Sequence, residues 1–381
     1  MSNDVTYANS YQDSIVAKWL DILSRESGYG TARGIHADIL AGINARGFGT
    51  MLPHNNDHSG LTFFTRPRCN LSYDNLAASR VLSPLMTDKR MSYQAYIRDL
   101  LDPVSVQKPG RKNCPLIDPR QAFIPIMSNL LMNVSGFPDI VSSCWTSNPG
   151  LYQEEYSLPD GPVKLYNTFD ITCNFRNIDG DPLTGLFMAW REYYGLSYEG
   201  AVLPHPDAIV EDEVDFFTAI YRLVTNRDMT HVQKIARTIA YPISINVGAA
   251  FNYDVNALRA SENDQITVTF RCHGCEYMDP ILLSEFNWCQ ELYFNPQLGD
   301  KTRKSNFVKL KKEEIMYYNF LAFPWINANP TDGETPGHAL EWWVPKDLYA
   351  QFTSARTSTT DAGTALTNSY LAPYAANIST V

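Results

Sequence analysis

The feature that most limits what this chain can fold into is a strict two-residue beat. In residues 169–175, FDITCNF, the apolar Phe169, Ile171, Cys173 and Phe175 alternate with the polar Asp170, Thr172 and Asn174. A period of two buries one face of a strand and leaves the other polar. Residues 265–273, QITVTFRCH, repeat the beat, with Ile266, Val268, Phe270 and Cys272 on one side and Thr267, Thr269, Arg271 and His273 on the other. Each such strand has one face against a core and one face free. The question is what the free face meets.

The stretch between them carries the best-punctuated helix. Leu183, Leu186, Phe187, Trp190 and Tyr194 recur at helical spacing in LTGLFMAWREYYG, as a core-facing stripe should. Asp181 is placed to cap that helix, Pro182 suits its first position and Gly195 its stop. DFFTAIYRLVTN reads as a strand, THVQKIARTIAYPISINVGAAFNYD as a further strand followed by a Pro-bounded loop, and GHALEWWVP as a late aromatic strand.

Upstream, YQDSIVAKWLDILSR (11–25) reads as an amphipathic helix, GIHADILAGINARGFG as a shorter one, MLPHNNDHSG as a polar loop and LTFFTRP as a strand ended by Pro67. Residues 70–150 are broken by prolines and read as loops with short elements, such as a helix in SYQAYIRDLLD. The expected organisation is a helical, loop-rich elaboration over 1–155, a β domain over 156–350 and a polar tail over 351–381, flexible unless a partner orders it.

Charge narrows the function. Lys and Arg number 31 against 41 Asp and Glu, a net charge of −10, and charged residues are only 19 % of the chain. No basic run suggests a phosphate-binding face, so tight nucleic-acid binding is disfavoured. A large, polar, uncharged surface suits coverage by partners. The cysteine count is 7, odd and sparse for 381 residues, which fits free thiols in a reducing cytoplasm. No signal-peptide pattern opens the chain, and no apolar run reaches the roughly 18 residues a membrane span needs.

No motif reads as an active site. Cys272-His273-Gly274-Cys275 is half a zinc site without its second half, and Cys272 continues a buried strand face, so packing is the expected role. His54 and His58 stand four apart, but in a Pro-, Asn- and Gly-rich loop. Glu154 with Glu155, and Glu211, Asp212, Glu213 and Asp215, read as solvated acidic loops, because acid–base chemistry needs carboxylates in unlike environments. Trp342 and Trp343 suit a core or an interface. No cofactor or metal is expected.

The succession FDITCNFRNIDGDP, LTGLFMAWREYYG, DFFTAIYRLVTN, AYPISINVGAAFNYD and QITVTFRCHG resembles the tail-tube fold of contractile-tailed, especially large, bacteriophages and the related tube initiators of the baseplate. GLTFFTRPRCNLSYDNL is similar to a stretch of large-phage virion proteins. The resemblance covers roughly 160–350 and implies an α+β, mainly β fold: a β-sandwich or barrel with a flanking helix. It implies a non-enzymatic virion protein, made in the host cytoplasm, whose copies form a hexameric ring around a DNA passage. Tube, sheath, baseplate and tape-measure proteins would be its neighbours. On that reading Asp170, Thr172, Asn174, Arg176, Thr267, Thr269 and Arg271 face the lumen. A neck, connector or capsid-associated protein stays open, as does a receptor- or carbohydrate-binding β-protein suggested by the Trp and Tyr density.

Overall fold

The computed structural model describes residues 59–106, 112–160, 167–226, 229–251, 264–279, 281–315, 318, 321–327 and 339–357. The helices expected before residue 50, the His54/His58 loop and the tail beyond 357 lie outside these residues. The fold is α+β. Its centre is a six-stranded antiparallel sheet in the order β1-β6-β7-β8-β5-β2. The strands are β1 (Ser59–Phe64), β2 (Leu131–Ser135), β5 (Thr168–Arg176), β6 (Thr218–Thr225), β7 (Val232–Ile245) and β8 (Gln265–Tyr277). Between β2 and β5 lies a separate two-stranded pair, β3 (Cys144–Thr146) with β4 (Ser157–Pro159). The two edge strands of the large sheet come from the first 155 residues, so a boundary drawn at 155 separates strands that the sheet joins.

The sheet is curled until it nearly closes. In a flat sheet β1 and β5 would stand four strand spacings apart, roughly 19 Å. Yet the rings of Phe64 on β1 and Phe175 on β5 are 6.1 Å apart, and Phe64 and Phe270 on β8 are 5.8 Å apart. The chain also bridges the two edges directly. Beyond β1, Ile124 N–H donates to Phe64 C=O at 2.9 Å and Arg66 N–H to Ala122 C=O at 2.8 Å. A short helix, Pro125–Leu130, then leads straight into β2.

The concave side is filled by two helices, α1 (Tyr93–Leu101) and α2 (Pro182–Tyr198). Leu183, Leu186, Phe187 and Trp190 of α2 are buried against Ile171, Cys173, Phe175, Val268 and Phe270 of the sheet. Tyr193 is buried as well, while Tyr194 is half-buried, 5.6 Å from the Phe216 ring and 5.5 Å from that of Tyr241. At i+3 and i+4 from Trp190 both tyrosines fit the stripe by spacing. The tighter site goes to Tyr193 because its hydroxyl finds partners there. It accepts from the Asn70 amide at 3.0 Å and donates to Asp215. Two expectations about α2 are corrected. Gly195 does not stop it: the helix runs to Tyr198, and the left-handed turn falls at Gly200, φ +75°. Asp181 sits at the N-cap position in a left-handed conformation, and its carboxylate takes the Asn177 amide instead of a helix N–H.

The convex side is divided. Over β1, β6 and β7 it is covered by a second core built on α3 (Ile281–Tyr293), with Phe63, Tyr221, Leu223, Val232 and Ile235 facing Leu282, Leu283 and Phe286. A three-stranded sheet, β10 (Phe323–Asn327), β11 (Ala339–Pro345) and β9 (Phe307–Lys309), packs beside α3. The outer edge of β10 is closed by amide side chains of α3. Asn287 Nδ2 donates to Ile326 C=O at 2.8 Å, and Ile326 N–H donates to Asn287 Oδ1 at 3.0 Å. Because β1 and β6 are covered on both faces, their sequences lack the clean alternation of β5 and β8. The consecutive Phe63 and Phe64 are each buried, in different cores.

Other sequence readings change here. Pro242 lies inside β7, not in a loop after it, at a register shift between Pro242 and Ser244. A bulge is where a strand accommodates a residue with no N–H to donate. A helix, α4, spans Lys346–Thr357. Gly136 ends β2 with φ +107°, and a Cβ there would stand 2.4 Å from the Asp170 carbonyl oxygen. Gly136→Ala is expected to cost about 1–3 kcal/mol, as a strained non-glycine backbone does; urea unfolding checks it.

Candidate functional site: the uncovered polar face of β2, β5, β8 and β7

The half of the sheet that no described layer covers carries the alternating strands. Along β5, Asp170 and Arg176 are exposed and Thr172 and Asn174 half-buried; along β8, Thr267, Thr269 and Arg271 are half-buried and His273 exposed. Register pairs these residues directly: Asn174 faces Thr267, Thr172 faces Thr269, Asp170 faces Arg271 and Arg176 faces Gln265. Ser135 of β2 lies opposite Thr172, and Ser244 of β7 opposite Thr269. A row of four hydroxyls, Ser135, Thr172, Thr269 and Ser244, therefore crosses four strands. Ser135 and Ser244, absent from the sequence-level set, were hidden because β2 reads as an irregular region and Ser244 follows a strand bulge.

The face is hydrogen-bonded within itself. Thr267 Oγ1 donates to Asn174 Oδ1 at 2.9 Å, and Arg271 Nε meets Asp170 Oδ1 at 2.7 Å. The Asp170–Arg271 pair is thus internally matched, Arg176 is exposed opposite Gln265, and the remaining surface between them is mostly hydroxyl and amide.

A bulge decides the fate of the CxxC. Cys275 pairs with Thr238 and His273 with Ile239, leaving Gly274 as the extra residue, with φ +65°. In a regular strand residues three apart point to opposite faces; the inserted glycine puts both Cys272 and Cys275 inside. Burial pushes the Cys272 thiol up to about 12 and raises that of Cys275. Such thiols hold their protons and pack as small apolar groups. Among the described residues no group of three or more His, Cys, Asp and Glu is placed to hold a metal.

The acidic loop is not uniformly solvated. Glu211 and Glu213 hold Arg68 at 3.2 and 3.0 Å, but Asp215 turns inward, 5 % exposed, to the Tyr193 hydroxyl. Burial raises the Asp215 pKa above 3.8, against the opposing effect of the Tyr193 hydrogen bond. A carboxyl with a raised folded-state pKa binds more protons folded than unfolded across that window. Its stabilising contribution is present at and below 3.8 and is lost as pH rises through the folded value. Asp215→Asn, which still accepts from Tyr193, is expected to remove this part of the pH slope. Urea unfolding of both proteins at several pH values from about 4 to 7 reads it directly.

A curled antiparallel sheet, helix-packed on one side and polar on part of the other, defines a β-structural subunit. A family model described as "Putative phage tail tube protein" matches residues 2–359, and the chain belongs to this family of phage tail proteins. No curated protein matches it in sequence. Among solved structures it is similar to the tube-terminating cap of the anti-feeding prophage, at 15 % identity over 42 % of this chain and 83 % of that one, TM-score 0.26. It is also similar to a chain of the PVC extracellular contractile injection system sheath–tube complex in the extended state, at 14 % identity over 42 % and 83 %, TM-score 0.24. A chain of the PVC sheath/tube terminator in the extended state matches at 14 % identity over 41 % and 86 %, TM-score 0.24. Among the described residues no helix is long and apolar enough to cross a membrane.

Proposed function

We propose that copies of this chain close side by side into a ring, a hexamer in the family's manner, and that the β2–β5–β8–β7 face lines the passage through which phage DNA moves. The observation that carries this reading is the hydroxyl row with its internally paired Asp170–Arg271. DNA binds proteins through many Lys and Arg contacts that release counterions. A lining mainly of Thr, Ser and Asn, with Arg271 matched by Asp170 and Arg176 as the remaining arginine, on a chain of net charge −10, offers DNA few cationic contacts and lets it pass.

The edges support the same reading. β1 and β2 end the sheet, bridged by residues 122–124 at the end of β1, and the rest of a sheet edge invites pairing with another chain. Lateral union of one copy's edge with the next removes that liability and continues the sheet around the ring. The role is structural, needs no cofactor, and places sheath, baseplate and tape-measure proteins as neighbours. Electron microscopy of the purified protein is the test. Rings with an open centre and sixfold symmetry are expected; a uniform population of monomers at every concentration would contradict the proposal.

A further inference from the structure

Between β2 and β5 the chain throws out an arm that none of the described residues covers. From Asp139 to Asp160 every residue is exposed except the half-buried Ser147. β3 and β4 pair only with each other, and an isolated two-stranded hairpin is marginal in water. Yet this arm carries Ile140, Val141, Trp145, Leu151, Tyr152 and Leu158, all exposed, with Trp145 directly opposite Leu158. Its root is fixed: Tyr277 Oη donates to Pro138 C=O at 2.7 Å. Apolar surface of this kind marks an interaction site.

The arm's charge indicates what it meets. Residues 136–160 contain Asp139, Glu154, Glu155 and Asp160 and no Lys or Arg. On the same chain, six of the 31 Lys and Arg fall within residues 301–312, with no Asp or Glu among them. Arg303 is taken up by the Trp325 ring at 4.0 Å and Lys309 by Glu341 at 2.7 Å, but Lys301, Lys304, Lys311 and Lys312 are exposed. Beside this strip, α3 exposes Trp288 and Leu292, one helical turn apart, and the neighbouring Glu291 reaches the Gly299 that precedes Lys301. An apolar centre with a basic flank thus matches an apolar arm with acidic residues. Among the described residues nothing packs on the arm, and the complementary charge assigns the match to a second copy.

We propose that the 139–160 arm of one copy docks on the 301–312 lysine strip and the Trp288–Leu292 face of a second copy. The inference rests on the reading that copies of the chain assemble, but not on DNA passage. Such a contact is head-to-tail, the kind that closes a ring or stacks one ring on another.

Cys144, exposed in the arm beside Trp145, provides the probe. A thiol–amine crosslinker is applied to assembled protein made from mixed light and heavy isotopes. Links from Cys144 of one copy to Lys301 or Lys304 of another are expected; links confined to one copy, or only to other regions, overturn the proposal. Charge reversal is the second arm of the test. Glu155→Lys with Asp160→Lys, and separately Lys301→Glu with Lys304→Glu, should each weaken assembly by about tenfold or more, read by sedimentation. All four changes in one chain should restore it. Failure of that restoration, with unfolding midpoints unchanged in every variant, overturns the contact. Symmetric rings without the crosslink would leave the ring reading standing and remove this one; crosslinked open chains without rings would do the reverse.

Discussion

Trp190→Ala should lower the free energy of unfolding by about 3–5 kcal/mol, the range for truncating a large buried aromatic. Trp190 is fully buried on α2, and its ring stacks on Phe187 with centroids 6.3 Å apart. Phe187 in turn touches Phe175 of β5 at 5.7 Å and Phe270 of β8 at 5.9 Å. Removing the indole therefore opens a cavity where the helix meets both alternating strands. It also removes a donor, since Trp190 Nε1–H bonds the Phe216 carbonyl at 2.9 Å and Phe216 leads into β6. Trp190→Phe, which keeps a six-membered aromatic ring and loses the pyrrole part with its donor, should cost less. Equilibrium urea unfolding of the three proteins measures both losses. A change within about 0.5 kcal/mol for the alanine variant, the range of an uninvolved surface position, would contradict this packing.

A single lysine on the polar face should change how the assembled particle treats DNA. Thr172 lies mid-row, between Ser135 and Thr269. In a sixfold ring Thr172→Lys places one new cation per copy around the passage. Each lysine that meets a phosphate steepens the dependence of log K on log salt by roughly 0.9 for duplex DNA. The variant should retain DNA at low salt and release it steeply as salt rises, while the parent shows no retention at physiological salt. Asp74→Lys serves as control, because Asp74 is exposed on the short helix Tyr73–Ala77 on the helical side of the sheet. Gel retardation of rings across a salt series reads the effect. Equal behaviour of the two variants, or tight binding by the parent, would remove the polar face from the passage.

How much of this was legible in the residues differs from strand to strand. β5 and β8 were plain because one of their faces has no covering layer, and only then does polarity alternate along the chain. β1 and β6 carry buried apolar residues on both faces, interrupted by Thr62 and Arg222, and no local pattern names their partners. The helical spacing of Leu282, Leu283, Phe286 and Gln290 in α3 was there to be read, although Pro280 and the polar turn before it drew no helix from the sequence reading. The arm carrying Trp145 and Leu158 passed as irregular, since its strands are three residues each and too short for a period to show.

The sequence by itself determined the two alternating strands, the apolar stripe of α2 and the acidic balance, because each is a property of residues along the chain. Only the tertiary structure decided the curl, the edges and the composition of the polar face. Phe64 meets Phe175 across more than a hundred residues, and Ser135 joins Thr172 and Ser244 joins Thr269 through register alone. Bulges contribute to the same division: the extra Gly274 turns Cys275 inward beside Cys272, reversing the side that a count of two assigns to it. Such placements depend on which strands lie side by side and where one residue is inserted, and chain closure over long loops sets both.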